Sequence, residues 1–257
     1  MAKSQLEQRR ILITGASSGI GRELARQLAT EGARVLVTAR RQDRLAEITA
    51  EIEQSGGQAI YLPGDLASEA FRQNLCDFAQ EKYGGLDVLI NNAGIGAIGD
   101  FADADSDRLR NVMEVNFFAP VELIRVSLPM LRCGNQPLIV NVSSVLAHRA
   151  VPTKSEYCAS KFAIHGFSDA LRAELANDGI QVLLASPSTT ASEFFDDLAQ
   201  SNGKQRRGMP PATVAKHIVR AMQTHRHEII ISYEGKLLVW LDRLWPTLAN
   251  KLMAKFG

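Results

Sequence analysis

The chain is poor in the residues that mark secreted, fibrous or nucleic-acid-binding proteins. Only three cysteines, Cys76, Cys133 and Cys158, occur in 257 residues. They show no CxxC spacing and no nearby histidine pair, which argues against a disulfide framework or a zinc site and fits a reducing compartment. Charge of one sign is lacking too. The 29 Lys and Arg against 28 Asp and Glu leave no footprint for a polyanion, so nucleic acid is not expected as a partner. No apolar run approaches the roughly 18 residues a spanning helix needs. The first ten residues, MAKSQLEQRR, are polar and offer no signal-peptide core, so a cytoplasmic protein is expected. Linkers rich in Pro, Gly or Ser are missing as well, which argues for one domain.

What is present is a regular alternation. Short apolar runs rich in β-branched residues alternate with longer segments whose apolar spacing is near 3.6. The spacing predicts strands at Ile11–Thr14, Arg34–Thr38, Ala59–Leu62, Asp87–Asn91, Leu138–Val142, Gln181–Ala185 and Glu228–Ser232. Helices are expected at 20–30, 42–54, 68–82, 106–132, 155–177 and 211–223. Runs such as ILI and VLV are apolar throughout, as in strands covered on both faces. The fold class expected is therefore α/β, a Rossmann-type doubly wound parallel sheet of about seven strands in a single domain. Residues 1–234 carry it, including a long connection at 186–211, and 235–257 form an amphipathic helical tail.

The first strand runs into Thr14-Gly15-Ala16-Ser17-Ser18-Gly19-Ile20-Gly21, a glycine-rich turn that opens the first helix. Gly15 allows the tight turn, Gly19 a close backbone approach to a pyrophosphate, and Gly21 close packing of helix on strand, while Ser17, Ser18 and Ile20 complete the loop. After the second strand, where an acidic group would meet the ribose 2′-hydroxyl of NAD, the chain reads Thr38-Ala39-Arg40-Arg41. A guanidinium suits a phosphate, so Arg40, with help from Arg41, Arg44 or Ser17, is the candidate for the 2′-phosphate and NADP the expected cofactor.

Together with Asn91-Asn92-Ala93-Gly94 and Tyr157-Cys158-Ala159-Ser160-Lys161, this turn resembles the short-chain dehydrogenase/reductase family over about residues 9–232. A carbonyl that receives hydride builds negative charge on oxygen and needs an acid and a second hydrogen bond there. Tyr157 is the candidate acid. Lys161, one turn on, can supply the positive charge that favours its phenolate. Two serines, Ser143 and Ser144, stand after the fifth strand, and the family's thirteen-residue interval to the tyrosine selects Ser144. The resemblance implies further roles: Ser144 on the substrate carbonyl, Lys161 on the nicotinamide ribose, Asn116 in a water relay to the lysine, and Asp65-Leu66 against the adenine. It also implies that Asn92, Ala93, Gly94, Tyr157, Lys161 and Pro187 line the cofactor, and that the chain forms a homodimer or homotetramer.

One motif departs from the family. Where members usually read PGxxxT, this chain reads Pro187-Ser188-Thr189-Thr190-Ala191-Ser192, so the turn is expected to be either ordinary or strained at Ser188. Phe194, Phe195, Leu198 and Met209 in the same connection suggest an apolar pocket wall. Cys158 reads as packing, His165 as facing solvent or a partner subunit, and His217, His225 and His227 as unconnected with a metal. In the tail, Leu237, Leu241, Leu244, Leu248 and Leu252 recur at helical spacing beside Trp240 and Trp245, and Pro246 divides it into two helices. Packing or pocket cover is favoured for it over a membrane surface. The activity expected is NADP(H)-dependent hydride transfer to a carbonyl, or from a secondary alcohol, of an apolar small molecule. The alternative is a catalytically silent NADPH-binding sensor or scaffold.

Overall fold

Seven strands pair in parallel in the order β3-β2-β1-β4-β5-β6-β7. The computed structural model describes residues 6–191 and 208–253, the last two as backbone only. The strands are β1 (Arg10–Thr14), β2 (Arg34–Ala39), β3 (Gln58–Pro63), β4 (Val88–Asn91), β5 (Leu138–Val142), β6 (Gln181–Ser186) and β7 (Glu228–Ile230). The helices between and after them are α1 (Gly19–Thr30), α2 (Gln42–Gln54), α3 (Glu69–Tyr83), α4 (Ser106–Met113), α5 (Ala119–Arg132), α6 (Ser155–Glu174), α7 (Pro211–Gln223), α8 (Tyr233–Leu244) and α9 (Pro246–Met253). The strand order reverses direction between β1 and β4, which opens a crevice at their C-terminal ends where ligands of such sheets bind.

Apolar strands follow from two buried faces. Ile11, Ile13, Val35, Val37, Val88, Ile90 and Val140 point to one side, against α1, α2 and α7. Leu12, Leu36, Leu89, Ile139 and Val182 alternate to the other, against α3, α5 and α6. A period of two in the strand thus serves both cores at once. No helix among the described residues is long and apolar enough to cross a membrane.

Three expectations change in detail. The predicted helix 106–132 is interrupted by a π-helical stretch, Glu114–Phe118, between α4 and α5. Pro120 has no N–H, so a regular α-helix would leave the carbonyl of Asn116, four residues earlier, without its donor, and the helix widens at that point. The last strand ends at Ile230, because Ser232 turns away to cap α8, accepting from the Gly235 N–H at 2.9 Å. In the tail, Pro246 does start a second helix, but the leucine stripe is not the buried face. Gly235, Val239 and Ala249 face inward, whereas Leu237, Trp240, Leu244, Trp245 and Leu248 are exposed. Arg149 pins both tail helices to the body through Asp242 and Asn250, each at 2.6 Å.

Candidate active site

The glycine turn closes the C-terminal end of β1. Gly15 and Gly19 have φ of 66° and 56°, the left-handed region that side chains disfavour. A Cβ on Gly15 would stand 2.7 Å from Ala93 Cα, and one on Gly21 would stand 2.4 Å from the Gly15 carbonyl oxygen. The turn is therefore seated on the loop after β4. Thr14 is the hub of that contact: its Oγ1 accepts from the N–H groups of Asn92 and Ala93, both at 3.0 Å. Asn92 Nδ2 donates in return to the carbonyls of Thr14 and Gly15 at 2.9 and 3.1 Å. Ser18 is the N-cap of α1, but its hydroxyl accepts from no N–H of the helix start, and no acidic residue lies in the first turn. Helix-start N–H groups without a carboxylate nearby fit a phosphate.

Arg41 is the cation brought to this turn. Its Nη2 donates to Ser17 Oγ at 3.1 Å and to Ser18 Oγ at 2.8 Å. Arg40 is exposed and has no polar partner among the described residues, and Arg44 leans on Glu47 at 3.7 Å. The basic group predicted after β2 is thus present, with the neighbouring arginine as its inner member. Asp65 is exposed and accepts from the Ala67 N–H at 3.0 Å, while Leu66 is buried. Both follow β3 on the same edge of the sheet.

The predicted acid, its serine and the lysine do come together. Ser144 ends the strand-to-turn link after β5, where its Oγ accepts from the Leu146 N–H at 3.1 Å and caps the 3₁₀ turn Val145–Ala147. The Ser144 side chain stands close enough to the Tyr157 hydroxyl to act on its titration, pulling its pKa down. Ser143 points elsewhere, donating to the Lys161 carbonyl at 3.4 Å. Geometry therefore agrees with the thirteen-residue spacing. Tyr157 and Lys161 lie one turn apart on α6, with Nζ 5.7 Å from the ring centroid, and Nζ donates to the Val142 carbonyl at 3.0 Å. The ring packs with Ala97 and Val112, beside Ile95 and Leu146, an apolar wall next to two hydroxyls.

Burial governs both titrations. It pushes the Tyr157 phenol above its ordinary value, and the neighbouring Ser144 only partly offsets this. It lowers the Lys161 ammonium to about 8. Desolvation of the anion sets the direction of the Tyr157 shift, and desolvation of the ammonium that of Lys161.

Asn116 sits in the π-helical stretch with its amide fully engaged. Its Oδ1 accepts from the Ile95 N–H at 2.8 Å, and its Nδ2 donates to the Ile95 carbonyl at 2.9 Å and to Ser160 Oγ at 3.0 Å. That is the backbone-satisfying role of a buried asparagine. Pro120 was the sequence signal for this. Arg108 and Glu156 are a second omission. Arg108 holds the Glu156 carboxylate at 2.6 Å, and Ser155 donates to its other oxygen at 2.9 Å. Burial would raise the Glu156 pKa, but these donors bring it below the usual value, so the start of α6 is fixed beside Tyr157.

Pro187 is buried and its carbonyl accepts from the Val145 N–H at 3.0 Å, which ties the connection after β6 to the Ser144 turn. Ser188 is not among the residues with positive φ, so the turn is ordinary and carries no strain for want of glycine. Residues 189–191 pair with Met209, with N–H to carbonyl distances of 2.9 and 3.0 Å. Met209 is partly buried and packs against the core. Ser192, Phe194, Phe195 and Leu198 lie outside the described residues.

The family model of short chain dehydrogenases matches residues 9–203. The chain is 32% identical over 267 residues to dehydrogenase/reductase SDR family member 7B of Danio rerio, covering 98% of this chain and 86% of that protein. It is 31% identical to ketoacyl reductase HetN of Nostoc sp., covering 96% and 88%. Two solved structures share the fold. A short chain dehydrogenase/reductase from Burkholderia phymatum in complex with NAD matches with a TM-score of 0.86 and 23% identity over 96% of both chains. An alcohol dehydrogenase from Thermococcus sibiricus complexed with 5-hydroxy-NADP gives 0.80 and 24% over 87% and 96%. With the glycine turn, the serine, the tyrosine and the lysine assembled at one edge of the sheet, the chain belongs to the short-chain dehydrogenase/reductase family.

Proposed function

We propose that the protein is an NADP(H)-dependent oxidoreductase that reduces a carbonyl, or oxidises a secondary alcohol, on an apolar small molecule. The observation that carries this reading is the Ser144 and Tyr157 hydroxyls brought together with a buried Lys161 at the C-terminal end of β5, next to the strand that flanks the strand-order reversal. When bound, the nicotinamide ring supplies or accepts the hydride. Tyr157 gives its proton to the carbonyl oxygen as charge develops there, and Ser144 holds the same oxygen by a second hydrogen bond. Lys161, charged below about pH 8, stabilises the phenolate left behind until solvent restores the proton. In the alcohol direction Tyr157, as phenolate, takes the hydroxyl proton. A silent sensor needs none of these groups.

The apolar substrate class is supported by the Ala97, Val112, Ile95 and Leu146 wall, and carbonyl reduction by the name of the relative HetN. NADP is supported by Arg41 on Ser17 and Ser18, with Arg40 exposed beside it and no acid in the Thr38–Arg41 stretch that ends β2. Exposed Phe118 and Phe162 support a contact between copies of the chain, and three free cysteines support a reducing cytoplasm. Turnover of a panel of aromatic, steroid and acyl carbonyls with NADPH and with NADH tests the reading. NADPH is expected to be preferred, and Arg41→Ala to cut that preference by about tenfold or more, the worth of one charge-assisted bond. Equal use of both cofactors, or a preference untouched by Arg40→Ala and Arg41→Ala, would refute the phosphate assignment. Absence of turnover across the panel would favour the sensor.

A further inference from the structure

Two histidines unconnected with the chemistry above meet on the far side of the Ser144 turn. His148 follows that turn and His165 lies on α6, their ring centroids 4.5 Å apart. Glu228, the first residue of β7, reaches His148 Nε2 at 3.2 Å, and Asp169 reaches His165 Nε2 at 3.4 Å. We propose that His148, His165 and Glu228, with Asp169 available as a fourth ligand, bind one divalent transition metal ion of the zinc class.

The geometry supports this in three ways. One ligand atom from each of His148, His165 and Glu228 lies within 4.8 Å of the others. Ligands about 2.05 Å from a tetrahedral ion stand about 3.3 Å apart, so the 3.2 and 3.4 Å pairs already have the edge length of such a site, and only the separation between pairs has to contract. The second support is the tautomer. His165 Nδ1 lies 3.2 Å from the Ala147 carbonyl, which can only accept, so Nδ1 carries the hydrogen. Its Nε2 lone pair then faces a carboxylate oxygen, an arrangement that requires a cation or a second proton between them. A ligating histidine is usually oriented by such an Nδ1–H to carbonyl bond. The third support is charge: two neutral imidazoles and two carboxylates present a formal charge of −2 to a divalent ion. Burial favours the neutral form of His148, the form that ligates.

The surroundings set the limits. Ser186 Oγ lies 3.1 Å from His148 Nε2 and is displaced or retained as an outer partner. Arg172 holds the other oxygen of Asp169 at 2.8 Å, and the charge of Arg243 disfavours a protonated His148. These two cations weaken the site relative to one with four unshared ligands. Glu228 is 36% exposed, which gives the ion an entry path. A bound ion would join the Ser144 turn, α6 and β7, and would sit beside Ser186, where the connection 186–211 begins. The proposal does not depend on the activity assigned above.

Calorimetric titration of the EDTA-treated full-length protein with zinc chloride, and with cobalt(II) read by its visible d–d bands, tests it. One ion is expected per chain, with cobalt bands of a four-coordinate nitrogen and oxygen site and a rise in melting temperature. His165→Gln and Glu228→Gln, at the partly exposed ligands, should each weaken binding by about tenfold or more, whereas Cys133→Ser and His225→Gln should leave it unchanged. No saturable binding at micromolar zinc would overturn the proposal and leave ordinary histidine–carboxylate pairs. So would binding unchanged in both ligand variants, or lost in Cys133→Ser.

Discussion

The two ends of the sheet treat buried charge in opposite ways. At the N-terminal end, Asp87 accepts from Arg10 Nη2, Nε and backbone N–H at 2.6, 3.0 and 2.8 Å, and from the Asn135 N–H at 2.7 Å. Burial alone would raise its pKa, but these donors, led by Arg10, hold it below the ordinary carboxylate value. At the C-terminal end, Lys161 is 5% exposed, forms no ion pair among the described residues, and donates to a strand carbonyl. At the first end Arg10 and Asp87 satisfy each other and fasten β1 to β4. The other leaves an ammonium without a counter-charge and a phenol above its ordinary pKa, a cost in stability kept where chemistry needs a proton donor and a positive charge.

The comparison breaks most sharply at Asp87. Asp87→Asn is expected to lose about 3–5 kcal/mol of stability, as when one partner of a buried pair is removed, with turnover of the remaining folded enzyme unchanged. The wild-type contribution is present above the ordinary carboxylate pKa and is lost as pH falls through the lowered native value. Urea unfolding against pH reads both, and a variant as stable as the wild type would show the network to be idle. Ser144→Ala reverses the pattern: about 10²–10³-fold is expected to go from kcat, with about 1 kcal/mol lost from the cap to Leu146. A rate within a few-fold of wild type would remove Ser144 from the oxygen's partners.

Lys161→Met is the finer test. The native pKa falls from 10.5 to about 8, so between these values the unfolded chain binds a proton that the folded chain does not, and stability rises with pH. Below about 8 both forms are charged and the full cost stands, about 3 kcal/mol. The variant should therefore be more stable than the wild type at pH 7 and lose the rise between pH 8 and 10.5, while turnover collapses. In the wild type, carbonyl reduction should decline above about pH 8 as Lys161 loses its charge. A destabilised Lys161→Met would contradict this reading of the upper end.

Much of this was legible in sequence because it depends on local spacing. Strands covered on both faces announce themselves as continuous apolar runs, and Tyr157 and Lys161 share a helix face by their interval alone. The features that escaped are contacts between elements distant in the chain. Arg108 meets Glu156 across 48 residues, and Glu228 meets His148 across 80, with nothing local in either segment to announce the pairing. The choice between Arg40 and Arg41 turned on which side chain leans back over Ser17 and Ser18, a matter of backbone direction where β2 passes into α2. The π-helical stretch was readable, since Pro120 denies Asn116 its α-helical donor, but helical periodicity on both sides concealed it. The tail misled for another reason: leucine spacing describes an apolar face without saying what covers it.

The measurement closest to the central claim is carbonyl-dependent NADPH oxidation by Tyr157→Phe, with cofactor binding followed by fluorescence on the same preparation. Removal of one hydroxyl from a packed ring should leave NADPH binding and the fold as they are and lower kcat by about 10²–10⁴-fold, the range of general acid catalysis. Turnover at the wild-type rate with binding intact would contradict the assignment of Tyr157 as the proton donor.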